Sequence, residues 1–151
     1  MKLSATYAFQ DPGETLFAAL VDPAILQKCI DGCEKMEKTG EDSYNAHLKI
    51  GVAGIKGSYV GKVRVDEKKP PESFTLHVEG KGGPGWVKGK AKIQILPKGE
   101  GSELLCESEG QVGGLIAQVG SRLVEAVGKK MQDEFFRKLG QQLRNTSVPG
   151  K

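Results

Sequence analysis

The hydrophobic periodicity of this chain changes once, at Gly113-Gly114, and that change constrains the fold more than any other feature. From Glu34 to Val112, apolar and polar residues alternate with the period of two that is typical of β-strands. Beyond Gly114, apolar residues recur every three or four positions, as in an amphipathic helix. The chain therefore predicts a run of strands followed by one long C-terminal helix.

The strand segments each carry one apolar and one polar face, which indicates an antiparallel sheet packed on one side and solvated on the other. The connections are too short for the helical crossovers that parallel strands need. Leu3 to Phe9 alternates in the same way and predicts a first strand. We expect about six to seven strands in total.

Two short helices are predicted after the first strand. Asp11-Pro12 and Asp22-Pro23 each place a capping residue before a proline suited to the first helical position, and Gly32 is placed to end the second helix. The long helix begins near Ile116 and covers about 28 residues, or roughly 42 Å. We expect it alone to cover the inner face of the sheet. The fold class is α+β: a curved antiparallel sheet around a C-terminal helix, in one domain over 1–145 with a flexible tail at 146–151.

Glycine is the compositional outlier, with 21 residues in a chain of 151. Glycine within a strand marks a bulge, a bend or a close approach, so we expect a strongly curved sheet. Five glycines fall on the predicted inner face, where they leave volume that a packed core would fill. A cavity is therefore favoured over a filled core, although the filled core remains an alternative. These glycines are Gly61, Gly80, Gly82, Gly89 and Gly110.

Charge and cysteine content exclude several classes of protein. A net charge of +3 is too small to indicate nucleic-acid binding. No window approaches the ~20 apolar residues that cross a bilayer, and the N-terminus does not resemble a secretory signal. Three cysteines without a paired framework point to a reducing compartment. We therefore expect a cytoplasmic protein.

The residues that could bind a metal are not expected to do so. Cys29 and Cys33 lie one helical turn apart but have no third ligand nearby, so they are interpreted as small buried hydrophobes. His47 and His77 point outward from strands that a third strand separates, about 9–10 Å apart. Neither pair predicts a metal site.

Three further features face solvent or join strands. Lys88, Lys90 and Lys92 form a row on the polar face, which is interpreted as a solvated surface or, less favourably, as a docking patch for an acidic partner or an anionic membrane. The glycine-rich segments 51–57 and 80–85 lack the features of a phosphate loop. They are interpreted as flexible turns that could gate access to the interior.

The inner face carries no charged or imidazole side chain from Tyr44 onward. Only the hydroxyls of Tyr44, Tyr59 and Ser108 and the thiol of Cys106 point inward, which does not favour acid–base catalysis. Such an interior suits an apolar ligand with one or two polar handles. We expect the ligand to contact residues on the strands and on the long helix, with Trp86 at the rim. The predicted wall residues are Tyr44, Leu48, Tyr59, Phe74, Leu76, Cys106, Val119, Leu123, Val127 and Met131.

Several segments together resemble the carbon monoxide dehydrogenase G-subunit family, within the START-like helix-grip domains. They are Phe17 to Leu26, Cys29-Ile30-Asp31-Gly32-Cys33-Glu34, Ile50-Gly51-Val52-Ala53, Lys56 to Gly61, Pro70-Pro71, Gly101 to Leu104 and Val112 to Ile116. Asp31 stands where the family usually has proline, and relatives often continue past the long helix into a tail implicated in membrane contact. The resemblance implies an accessory protein of molybdenum hydroxylase-type dehydrogenases that binds a quinone or another apolar molecule. Membrane contact is then expected to be peripheral at most.

Three functions follow as hypotheses. The first is a non-enzymatic carrier that has no intrinsic cofactor and holds a lipid or quinone between sheet and helix, in the service of dehydrogenase subunits. The second is an enzyme of the same fold that uses Tyr44, Tyr59 or Cys106 on a hydrophobic substrate. The third is an interaction module with a filled core that docks a dehydrogenase through the Lys88, Lys90 and Lys92 row.

Overall fold

A computed structural model describes residues 1–52 and 54–147 of the chain, with side chains described through Arg144. Within these residues the fold is a seven-stranded antiparallel sheet with four helices. The elements in chain order are β1 (Lys2–Phe9), α1 (Gly13–Leu20), α2 (Pro23–Cys29), β2 (Cys33–Gly40), β3 (Ser43–Ile50), β4 (Gly57–Lys69), β5 (Ser73–Gly82), β6 (Gly85–Lys98), β7 (Gly101–Gly114), α3 (Leu115–Gln118) and α4 (Ser121–Ser147).

The strands follow the order β1-β7-β6-β5-β4-β3-β2, so only the first strand departs from a simple meander. The cross-strand register places residues of the same predicted face side by side: Val63 pairs with Tyr44 on one side and with Val78 on the other. The predicted fold class, a helix-grip sheet with two short helices after the first strand, is confirmed.

Only one of the two predicted helix caps is observed. The Asp22 carboxylate accepts a hydrogen bond from the Ala24 backbone N–H at 2.9 Å, and Pro23 begins α2. At α1 the N-cap residue is Pro12, whose side chain has no polar group that could accept a hydrogen bond. The prediction that Asp11 caps this helix is therefore wrong. Asp11 is instead buried and forms an ion pair with Arg144 of α4, which ties the start of α1 to the end of the long helix.

The long helix is interrupted near its start, contrary to prediction. α3 ends at Gln118, and Gly120 adopts a left-handed conformation with a φ of 100° before α4 begins at Ser121. Glycine suits this position because a side chain would be strained there. Of the predicted tail 146–151, Thr146 and Ser147 belong to α4, and 148–151 lie outside the described residues.

The buried core occupies one end of the molecule, which we call the packed half. Here α1, α2 and the C-terminal half of α4 all cover the inner face of the sheet. Leu16, Leu104 and Leu139 are completely inaccessible to solvent, and Phe74 is 1% exposed. The prediction that the long helix alone covers the sheet is therefore wrong, because α1 and α2 share the task.

Candidate ligand cavity

The opposite end of the molecule, the hollow half, holds a cavity of about 250 Å³ between the sheet and the N-terminal half of α4. Two of its lining residues, Met1 and Leu123, are 39% and 37% exposed, so the cavity opens to solvent at its edge. A larger depression of about 670 Å³ lies on the polar face of the sheet among charged side chains, and is a solvated groove. The cavity is lined by Met1, Leu48, Ile50, Ile55, Tyr59, Gly61, Val78, Gly80, Val87, Val112, Ile116, Leu123, Val124, Val127, Gly128 and Met131.

Three of the lining residues are glycines, which contribute no side chain to fill this volume. A Cβ at Gly80 would have no atom within 4 Å, and at Gly61 and Gly128 its nearest neighbours would lie at 3.7 and 3.6 Å, an ordinary contact. None of the three adopts a positive φ. A methyl group would therefore fit at each position, and the backbone does not require glycine there. Because glycine inside a strand or helix costs roughly 0.5–1 kcal/mol relative to alanine, the volume is kept at the expense of stability.

The other inner-face glycines have a different cause. A Cβ at Gly82 would lie 2.4 Å from the Ser58 carbonyl oxygen, and at Gly89 3.3 Å from the carbonyl oxygen of Glu109. These positions allow neighbouring backbones to approach closely, and they do not line the cavity. The same is true of Gly110, where a Cβ would meet the Lys88 carbonyl oxygen at 3.4 Å.

Of the eleven predicted contact residues, five line the cavity and six do not. The five are Leu48, Tyr59, Leu123, Val127 and Met131. Tyr44, Phe74 and Cys106 belong to the buried core of the packed half, and Leu76 packs against it. Those four point to the inner face, but at the end of the sheet that α1, α2 and the C-terminal half of α4 fill.

The remaining two predicted residues lie around the hollow half without lining the cavity. Trp86 is 41% exposed on the outer face of the sheet, and its indole lies across Gly113, where a Cβ would be 2.3 Å from the ring. Val119 packs against Gly54 of the loop between β3 and β4, where a Cβ would lie 2.8 Å from the Val119 side chain. Val119 thus joins α3 and the start of α4 to that loop.

Sequence reasoning missed most of the other lining residues. Ile50, Val78 and Val112 carry the alternation of the inner face, so their orientation was available from the pattern, but the end of the sheet that stays open was not. Gly128 lies on the same stripe of α4 as Val124 and Met131 and could have been found there. Nothing in the pattern indicated Met1.

The inward-pointing hydroxyls are already engaged within the protein. Tyr59 donates its hydroxyl hydrogen to the Ile55 carbonyl oxygen at 2.5 Å, and Tyr44 donates to the Val21 carbonyl oxygen at 2.9 Å. Burial raises the pKa of both phenols. Burial also raises the pKa of the Cys106 thiol to about 11, so that it stays protonated at neutral pH. Thiolate and phenolate nucleophiles are therefore disfavoured at these positions.

A polar cluster of four residues separates the two halves along α4. Tyr7 donates to an oxygen of Asp133 at 2.6 Å and accepts from the Gln132 amide at 3.2 Å, while Ser108 donates to the Gln132 side-chain oxygen at 3.1 Å. Burial, with the Asp133 hydrogen bond, raises the pKa of Tyr7 to about 12. Hydrogen bonds from Lys129 and Tyr7 lower the pKa of Asp133. This cluster was not predicted, because Tyr7 and Asp133 are 126 positions apart.

The candidate metal ligands do not come together: Cys29 is a free, buried cysteine, and each histidine lies near a different carboxylate. His47 and His77 lie 3.5 and 3.4 Å from Glu37 and Asp66, and the Cys33 thiol donates to the Lys35 carbonyl oxygen. Within 1–52 and 54–147, no three His, Cys, Asp or Glu residues are grouped so as to hold a metal ion. No helix in the same residues has the length and apolar character to cross a membrane.

The lysine row on the outer face is balanced by the neighbouring strands. Lys90 and Lys92 lie directly opposite Glu109 and Glu107 of β7, and Lys88 is 4.0 Å from Glu79 of β5. Cross-strand pairs of opposite charge stabilise a sheet, so this surface has a structural role of its own. It does not present a concentrated positive patch.

An open antiparallel sheet around a C-terminal helix, with two short helices after the first strand, defines a START-like helix-grip protein. Solved structures with this fold include the AHSA1 protein from Silicibacter pomeroyi, at 18% identity over 97% of this chain and 99% of its own with a TM-score of 0.68. A protein from Thermus thermophilus matches at 13% identity over 98% and 100%, with a TM-score of 0.74. At these identities the likeness concerns the fold alone.

A much closer match is a conserved protein from Geobacillus kaustophilus, which is 35% identical over 97% of both chains with a TM-score of 0.93. Residues 7–144 match the family of the carbon monoxide dehydrogenase G subunit (CoxG). The chain belongs to this family, and the resemblance identified from its motifs is confirmed. A search of curated proteins gave no match.

Proposed function

We propose that this protein is a non-enzymatic accessory protein that holds an apolar small molecule, such as a lipid or a quinone, in the cavity of the hollow half. The observation that carries this proposal is the set of three lining glycines that the backbone does not require. A chain under selection for stability alone would fill such a space, because an empty apolar cavity and a mid-helix glycine both reduce the free energy of unfolding.

The family name supports the second part of the proposal, that the protein serves a molybdenum hydroxylase-type dehydrogenase related to carbon monoxide dehydrogenase. A quinone held by such an accessory protein would exchange electrons with the enzyme. If the ligand is a lipid, the protein would deliver it to the enzyme. We place this activity in the cytoplasm, with membrane contact that is peripheral at most.

The ligand-binding part is tested with Gly80→Leu, because a side chain at this position enters open space. Native mass spectrometry and calorimetry with dodecanol and with a naphthoquinone that carries an isoprenoid tail should show binding to the wild type. Binding to the variant should be at least tenfold weaker, since four added carbon atoms occupy the cavity.

Gly40→Leu is the matched control. Gly40 lies in exposed β2, and a Cβ there would meet Ser43 at an ordinary 3.6 Å. It should bind both probes as the wild type does. A wild type that binds neither probe, or a Gly80→Leu variant that binds them unchanged, would overturn the proposal.

The accessory role is tested separately by adding the protein to a purified carbon monoxide dehydrogenase-like enzyme with a quinone as electron acceptor. The protein should raise the rate of quinone reduction, and Gly80→Leu should raise it less than Gly40→Leu. Equal rates with and without the protein would contradict the accessory role and leave the ligand-binding proposal standing.

A further inference from the structure

We infer that the part of the ligand that enters the cavity is a hydrocarbon chain, and that the ligand's polar head stays at the mouth. This inference rests on the proposed function and narrows it to a class of ligand and an orientation. It differs from the expectation drawn from the sequence, which was an apolar ligand held by one or two polar handles inside.

The lining side chains that the structure describes offer no free hydrogen-bond donor. Tyr59 is the one polar side chain among them, and its hydroxyl hydrogen is donated to the Ile55 carbonyl oxygen. The hydroxyl keeps only lone pairs, which a donor can use. Ketone, ester and ether oxygens need a donor, so a head group built from them would be buried without a partner.

The backbone around the cavity is also engaged. Tyr59 and Gly61 of β4 are paired with β3 on one side and with β5 on the other, and Val87 of β6 lies between β5 and β7. The backbone N–H groups of α4 are hydrogen-bonded along the helix axis from Val124 onward, and those of 121–123 belong to the exposed first turn. Away from the exposed edge, where the Met1 ammonium and the first turn of α4 lie, a head group could therefore gain a donor only by breaking a strand ladder or a helix.

The size of the cavity fits a chain segment. About 250 Å³ corresponds to roughly eight water volumes of 30 Å³, or a linear segment on the order of eight to ten methylene groups. A longer chain would extend through the opening.

The mouth can receive the polar end. Leu115 and Val52 are 60% and 38% exposed, and they lie one and two positions along the chain from the lining residues Ile116 and Ile50. Lys56 and Arg122 are also exposed, and each is adjacent in the chain to a lining residue, Ile55 or Leu123. A head group placed there would keep its water and would also reach cationic donors.

The test measures the binding of linear alkanols from ethanol to dodecanol to the wild-type protein by calorimetry. The affinity should rise about fourfold for each added methylene. It should then level off at a length of about eight to ten carbons, where the cavity is full. Replacing the hydroxyl of dodecanol with a carboxylate should change the affinity less than tenfold, and a naphthoquinone without a tail should bind at least a hundredfold more weakly than the same ring with an isoprenoid tail.

The Gly80→Leu variant sharpens the measurement, because the four carbons of its side chain should shorten the plateau by about four methylenes while Gly40→Leu leaves it in place. A tail-less naphthoquinone that binds as tightly as the tailed one, or an affinity independent of chain length, would overturn the inference and leave the proposed function intact. If no probe binds, the proposed function fails and the inference fails with it.

Discussion

The packed half and the hollow half are built on the same sheet and on the same helix, α4, but they differ in what fills the space between them. In the packed half, Leu104 and Leu139 have no exposed surface, and two additional helices close the core. In the hollow half, α4 faces the sheet without that cover, and Leu123 is 37% exposed. One continuous scaffold therefore supports a region that resembles an ordinary protein interior and a region that does not.

The difference is produced by side-chain volume and by aromatic contacts. The packed half contains a stacked pair of Tyr7 and Phe136 with ring centroids 4.4 Å apart, and an edge-to-face pair of Phe17 and Phe74 at 5.2 Å. The hollow half has Gly80 at a position where a side chain would meet open space. We infer that contacts in the packed half contribute most of the free energy of unfolding. The hollow half can therefore keep empty volume without unfolding the protein.

The largest expected effect comes from shortening one buried side chain in the packed half. Leu139→Ala should lower the free energy of unfolding by about 3 kcal/mol, because it removes a completely buried side chain and leaves a cavity among well-packed neighbours. Leu123→Ala should lower it by about 1 kcal/mol or less, because that side chain borders a space that is already open. Urea unfolding followed by circular dichroism measures both, and equal losses would contradict the division into two halves.

Sequence periodicity was sufficient to predict the sheet and to identify the residues on its inner face. Alternation from Tyr44 to Val112 depends only on the two-residue repeat of a strand, which is a local property. It was not sufficient for the helices that cover that face. The apolar repeat of the long helix includes Phe135 and omits Phe136, whereas Phe136 is the more deeply buried of the two and stacks on Tyr7, and Phe135 is only partly buried against the core. A difference of one position in a helix is about 100°, which periodicity over irregular apolar spacing does not resolve.

The position of the cavity could not be predicted because it depends on where α1 and α2 lie. Tyr44 and Phe74 have the same inward orientation as Leu48 and Tyr59, and only the two short helices make the first pair core and the second pair wall. Which glycines leave space is likewise a tertiary property. Gly80 opens the cavity while Gly82, two residues along the same strand, is required by the backbone of its neighbour.

The boundary between the halves gives the second prediction. Tyr7→Phe should lower the free energy of unfolding at pH 7 by about 1–2 kcal/mol, since it removes a hydrogen bond to the ionised carboxylate of Asp133. The pKa of Asp133 is lowered in the folded state, so the stability from its ionised form is present above its ordinary value and is lost as the pH falls through the lowered one. The difference between the variant and the wild type should therefore shrink toward pH 3.

At alkaline pH the stabilisation by this hydrogen bond decreases as the pH rises, the opposite direction to that at acidic pH. The pKa of Tyr7 is raised from 10.0 to about 12, so its contribution is present below pH 10 and is lost between pH 10 and pH 12. Tyr44→Phe is the control, because the Tyr44 hydroxyl bonds to a backbone carbonyl and its removal should cost the same at pH 7 and at pH 3. A Tyr7→Phe effect that does not vary with pH would show that the boundary does not depend on the charge of Asp133.

A third and smaller effect compares two glycines of α4, one in each half. Gly128→Ala and Gly140→Ala should each raise the free energy of unfolding by up to about 1 kcal/mol, because a Cβ at either position makes only ordinary contacts, the nearest at 3.6 and 3.9 Å. Calorimetry with dodecanol separates them. The methyl group at Gly128 enters the cavity and should weaken binding about fourfold, whereas that at Gly140 should not change it. Equal binding by both variants would place the ligand elsewhere.

The smallest expected effect is on Trp86, on the outer side of the hollow half. Its indole lies across Gly113, on the opposite face of the sheet from the cavity, so filling the cavity should not shift its emission maximum or its quenching by iodide. Gly113→Ala should shift both, because a Cβ there would lie 2.3 Å from the ring and must displace it. Trp86 fluorescence is recorded during a dodecanol titration of the wild type, where it should stay constant. The Gly113→Ala variant is the control that shows the signal can respond. A blue shift when dodecanol binds would place the indole at the rim, where the sequence pattern had put it, and would mean that the hollow half extends around the edge of the sheet.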